Sequence, residues 1–126
     1  MKRGWDVKPF INGTQFGSIT ISGELYEHDV VIRLSGNVKK RKKRLSKEKY
    51  GTSHKVSLEE AQHIFRPGAE RLIIGTGHSG CLDLSDEADQ FFRKNGCSTE
   101  LLPTPESVAA WNAAEGAAIG MFHVTC

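Results

Sequence analysis

Residues Arg71–Leu84 read RLIIGTGHSGCLDL, and the centre, Gly75-Thr76-Gly77-His78-Ser79-Gly80, matches G-x-G-x-x-G behind an apolar run. Glycines so spaced expose backbone N–H groups, the chemistry of an anion-binding nest. In a dinucleotide fingerprint the next helix begins within the loop, so that its amino end meets the pyrophosphate. Here Cys81-Leu82-Asp83-Leu84 intervenes, and the next helix cap is Ser85. Glu100, about 20 positions on, would be the ribose carboxylate of that fingerprint, but it falls inside a strand and not at a strand end. A nucleophile elbow requires glycine where Cys81 stands, and the Gly-Lys-Ser/Thr of a P-loop is missing. Two readings stay open. Gly75, Thr76, Gly77 and Ser79 form a ligand loop at the carboxyl end of a parallel strand, or the glycines only permit a sharp exit from the sheet.

His54, His78 and His123, with Cys81 and Cys126, are the soft-ligand candidates. None has the i, i+4 or C-x-x-C spacing of a zinc site, so no metal and no cofactor is expected. His54 precedes the first helix of the second half, where it would meet the Gly75 loop if that helix packs beside the Leu72 strand. As an imidazole it could donate a proton or bind an anion, or its ring could hold the loop by bonding a carbonyl. Thr52 has the same two readings, hydroxyl ligand or turn-stabilising side chain. His63 falls opposite an apolar helical face and reads as solvated. Asn112 lies on a face that should be buried, so its amide needs partners; backbone groups of an adjoining loop such as the Gly75 loop would make it a structural lock, and ligand contact is the alternative. Three cysteines suit neither a disulfide framework nor a zinc knuckle and are expected to be reduced and mostly buried, Cys126 included. No residue is assigned a catalytic role, and whether the chain is an enzyme stays open.

Lys39, Lys40, Arg41, Lys42, Lys43 and Arg44 are consecutive cations, extended by Lys47 and Lys49; these are eight of the seventeen basic residues, against a net charge of only +2. Such a run attracts phosphate backbones or an acidic partner, with strong salt dependence. It contains no aromatic residue to stack on bases. The alternative is a solvated edge strand or hairpin whose lysines discourage edge-to-edge pairing.

The elements that position these residues follow from pattern. At 126 residues, 38% hydrophobic and 25% charged, the chain has the size and composition of one soluble globular domain. The amino-terminal Met-Lys-Arg-Gly-Trp-Asp lacks the apolar stretch of a signal peptide and no run is long enough to span a bilayer, so a cytoplasmic location is expected. Residues 1–50 read mainly as β, a meander with alternation at Phe16–Ser22 and branched or aromatic residues at Leu25-Tyr26 and Asp29–Leu34. Residues 51–126 alternate helix and strand. Ser57-Leu58-Glu59-Glu60 is a capping box, with Glu60 reaching back, and Leu58, Ala61, Ile64 and Phe65 share one face until Pro67-Gly68. Leu72-Ile73-Ile74 is a short strand covered on both faces. Ser85 caps the next helix, with acids first and Arg93 and Lys94 last. Ser98–Leu102 is a strand, Thr104 caps the third helix with Pro105 at its first position, and Ala118–Val124 is the last strand. A meander followed by three helix–strand units predicts an α/β fold with a mixed sheet covered by helices.

Four short motifs occur in order: Tyr50-Gly51-Thr52-Ser53-His54, the Ile73-Ile74-Gly75-Thr76-Gly77 exit, Trp111-Asn112 and the terminal Phe122-His123-Val124-Thr125-Cys126. Together they resemble the small domain of unassigned function first characterised from a methane-producing archaeon and shared with mitochondrial complex I assembly factor three and the adipogenesis-associated protein. The resemblance runs from about Phe16 to Cys126. It implies a three-layer α/β fold, with a central mixed sheet of about five strands flanked by helices and an additional N-terminal antiparallel β meander. It further implies a non-enzymatic binding or assembly module working through protein partners, with self-association open. Two other functions are carried by the residues themselves: an anionic small-molecule or enzymatic site near His54 and the Gly75–Ser79 loop, and nucleic-acid binding through Lys39–Arg44. Two departures stand out. His78 lies outside the residues the motif requires, and the basic run stands where the animal relatives carry tryptophans.

Overall fold

The computed structural model describes residues 8–126; the amino-terminal stretch read above for a leader lies outside the described residues. Three strands, β1 (Ile11–Gln15), β2 (Ser18–Ile21) and β3 (Glu24–Tyr26), form the antiparallel meander. A five-stranded mixed sheet follows the order β5-β4-β10-β7-β9, from β4 (Val30–Ile32), β5 (Val38–Lys40), β7 (Arg71–Thr76), β9 (Ser98–Leu102) and β10 (Ala118–His123). Strand β10 runs parallel to β7 and antiparallel to β4, and β9 is parallel to β7. The run Asp29–Leu34 therefore leaves the meander and joins the main sheet.

Alternation along the central strands explains the three layers, because successive side chains leave a strand on opposite faces. Leu72 and Ile74 of β7 and Ile119 and Met121 of β10 face one core, closed by α2 (Leu58–Ile64) and α3 (Asp86–Lys94) through Ala61, Ile64, Ala88 and Phe92. Ile73 and Phe122 face the other, closed by Trp111 of α4 (Thr104–Ala113) and by Ile11, Ile19 and Ile21 of the meander. The Trp111 ring meets Phe122 edge-on at 5.9 Å, and its indole N–H donates to Pro9 O at 2.9 Å. The small pair β6 (Lys55–Val56) and β8 (Asp83–Leu84) and the short α1 (Arg44–Tyr50) complete the chain.

The caps divide. Ser57 and Ser85 accept from the N–H groups of Glu60 and Ala88, as the sequence predicts. Glu60, however, does not reach back: the Ser57 N–H donates to Ser46 Oγ at 2.9 Å, which leaves the Glu60 carboxylate for another task. Thr104 is not a cap but the first residue of α4. Its hydroxyl donates to His123 O at 2.6 Å and accepts from the Gly77 N–H at 2.8 Å, tying the helix to both parallel strand ends.

Candidate functional site

The glycine loop is built by close approach. Gly77 has φ +101°, and a Cβ there would lie 2.1 Å from the Cys126 carbonyl carbon. A Cβ on Gly75 would fall 2.8 to 3.0 Å from Ser107 Oγ, Thr104 Oγ1 and the Phe122 ring. The loop amides are occupied within the protein: Gly77 by Thr104, His78 by Thr125 O, Ser79 and Cys81 by Cys126 O, Gly80 by Gly77 O and Leu82 by Thr76 O. Gly75 and Thr76 are buried and Ser79 is exposed. His78 Nε2 lies 3.3 Å from Thr14 Oγ1, and its ring meets Phe16 edge-on at 5.9 Å.

Asn112 is a lock, but not on this loop. Its Oδ1 accepts from the Ile11 N–H and its Nδ2 donates to Ile11 O, each at 2.9 Å, which fastens β1 to α4. Thr52 Oγ1 accepts from the His54 N–H at 3.1 Å and closes a turn. The His54 ring reaches His123, at 5.3 Å between centroids and nearly edge-on, rather than the Gly75 loop. His63 is half-buried, with Nε2 3.1 Å from Arg33 Nη2; burial first, then the Arg33 charge, lowers its pKa. Cys97 alone of the three is buried; Cys81 and Cys126 are exposed, so the expectation of mostly buried thiols fails, Cys81 lying in the loop after β7 and Cys126 beyond the end of β10.

The basic run separates into two populations. Lys39 and Lys40 end the edge strand β5, Lys42, Lys43 and Arg44 are exposed, and Arg41 is only 4% exposed. Arg41 is thus not a surface cation. Its Nε donates to Glu60 Oε2 at 2.6 Å, Nη1 to Asp29 Oδ2 at 3.0 Å, and Nη2 to Glu60 Oε1 at 3.1 Å and Ser53 O at 2.7 Å. Ser46 Oγ also donates to Glu60. Burial disfavours the Arg41 charge, but Glu60 and then Asp29 outweigh it and raise its pKa.

Asp29 joins this cluster to the end of β10. Its Oδ2 accepts from His123 Nδ1 at 2.8 Å and its Oδ1 from the Val124 N–H at 2.9 Å. Burial alone would raise the Asp29 pKa, but these hydrogen bonds and the imidazole and guanidinium charges bring it down to about 2. An ionised carboxylate only accepts, so the proton between them belongs to His123 Nδ1. The other ring nitrogen, Nε2, lies 3.3 Å from Thr125 Oγ1. Beside them opens a cleft of about 210 Å³, whose lining includes Glu27, His28, Lys40 and Lys43. Among the described residues no group of three or more His, Cys, Asp or Glu could hold a metal ion.

Asp29 and Glu60 were legible only in part. Glu60 lies four positions before Ile64 and so shares its buried face, which marks it as a carboxylate requiring a partner. Asp29 directly precedes the apolar Val30-Val31-Ile32, but nothing near it in sequence names His123.

The fold and site define a three-layer α/β domain with a buried charge cluster at the end of its central strands. Residues 11–122 match the family described as "Protein of unknown function (DUF498/DUF598)", and the chain belongs to that family. A conserved hypothetical protein, PH1505, from Pyrococcus horikoshii is 32% identical, with a TM-score of 0.83 over 92% of this chain and 98% of that one. The solved structure of MT938 is also 32% identical, with a TM-score of 0.80 over 94% of this chain and 100% of that one. A Mth938-like domain from Bordetella pertussis, 13% identical with a TM-score of 0.67 over 98% and 90%, shares the fold.

Proposed function

We propose that the chain is a non-enzymatic binding module that docks a protein partner on the outer face and free edge of its meander. The observation that carries this is the distribution of exposed large apolar side chains among the described residues: Phe10 at 59%, Phe16 at 67% and Leu25 at 58% all belong to the meander or its flanks. Register explains why Leu25 is outside. It pairs with Thr20, whereas Ile19 and Ile21, one position to either side, are buried in the core. Among the described residues β3 is also an unpaired edge of its sheet, with backbone groups placed to add a partner strand. Isolated exposed apolar residues need no explanation; their concentration on one small sheet with an open edge does.

A photo-reactive amino acid at position 25 tests this in cells of the source organism. Cross-links to one protein that vanish in a Phe16→Ser/Phe10→Ser variant support it, while cross-links absent or spread over many proteins contradict it. A second reading rests on the exposed Lys39, Lys40, Lys42, Lys43 and Arg44, five cations once Arg41 is removed, as a nucleic-acid contact. A mobility-shift titration in salt decides it; no binding at low salt rules it out.

A further inference from the structure

Beyond partner docking, we propose that the cleft at the end of β10 is a binding site for a small oxyanion, a carboxylate or phosphate group, held between Lys40 and Lys43 and the Thr125–His123 floor. Two observations converge. First, Lys40 and Lys43 border the cleft, and neither has a carboxylate within ion-pair distance among the described residues. Second, the buried cation of the cleft wall, Arg41, already has its charge met by Glu60 and Asp29, so those carboxylates are spent inside the protein and the two lysines face the cleft without a counter-charge. Asp29 fixes the proton of His123 on Nδ1, and Thr125, whose hydroxyl lies beside Nε2, lines the same cleft and closes its floor.

The acids nearby do not cancel this. Asp29 spends both oxygens on His123, Arg41 and Val124, which leaves Glu27 as the one other carboxylate of the lining. The cleft's volume of about 210 Å³ admits a phosphate or a short dicarboxylate, not a nucleotide. Arg41 and Asp29 act here as positioning residues, because their ion pair holds the cleft wall against the end of β10.

Nitrogen-15 NMR titrations with inorganic phosphate and, separately, with succinate test the site, each at constant ionic strength. Saturable shifts of the Arg41, Val124 and Thr125 amides are expected with one of the two, and which one responds separates phosphate from carboxylate. In Lys40→Gln/Lys43→Gln, whose changed side chains are on the surface, affinity should fall about tenfold, equivalent to about 1.4 kcal/mol. Lys47→Gln/Lys49→Gln, outside the cleft, should bind as the wild type does. Shifts that fail to saturate with both probes, or an equal loss in the two double variants, would overturn the proposal.

Discussion

Asp29 Oδ2 lies 2.8 Å from His123 Nδ1, joining residues 94 positions apart at the mouth of the central sheet. The same oxygen takes Arg41 Nη1, so one carboxylate holds the edge of the sheet, the basic segment and the last strand together. Because its pKa falls from 3.8 to about 2 on folding, Asp29 stabilises the fold above pH 4. That contribution, about 2 kcal/mol from linkage, is lost as pH falls through the folded value. Urea unfolding between pH 5 and pH 2 should show the loss, and Asp29→Asn should flatten that part of the profile.

Breaking the cluster at its centre should cost more. Arg41 and Glu60 have fully buried side chains, and removing one member strands the charge of the other. Arg41→Ala or Glu60→Ala should destabilise by about 3–5 kcal/mol. Neutralising Lys42, its exposed neighbour, should change stability by less than about 0.5 kcal/mol. Equal effects at positions 41 and 42 would mean that Arg41 is not buried.

Gly77 and Gly13 offer a contrast in glycine roles. A Cβ at Gly77 collides with the Cys126 backbone, and its φ of +101° strains any other residue. Gly77→Ala should therefore cost about 2–4 kcal/mol. Gly13 has open space around it and an ordinary φ, so Gly13→Ala should be near neutral. Thermal melts of the two variants report the difference.

The thiols should react in order of exposure. Cys81 and Cys126 are exposed, whereas burial pushes Cys97 up to about 11. Iodoacetamide on the folded protein should label the first two and spare Cys97, as peptide mapping would show.

Asn112→Ala removes both hydrogen bonds to Ile11. Loss of about 1–2 kcal/mol is expected. Hydrogen exchange should accelerate first at the Ile11 amide, since α4 and the main sheet keep their own packing.

Much of this architecture could be read along the chain because it is written in local periodicity. Leu72-Ile73-Ile74 is buried on both faces as its unbroken apolar run implies, and the caps Ser57 and Ser85 open α2 and α3. The three-layer arrangement follows from such patterns together with the family resemblance. What was illegible depends on partners far along the chain. Six consecutive cations carry no sign that the third is inside, since the acids that bury Arg41 lie 12 and 19 residues away. The helix α1 is hidden for the same reason: charge obscures its period, and Ser46 is its one buried residue. Asn112 needed a partner, as burial required, but its choice of β1 over the Gly75 loop is set by how α4 lies across the meander.

The site turns on an ionised Asp29 that orders His123 and Arg41 around it. A carbon-13 titration of the Asp29 carboxyl measures this directly. A midpoint near pH 2 is predicted. A midpoint at the ordinary aspartate value of about 3.9 would contradict the cluster, and with it the cleft it supports.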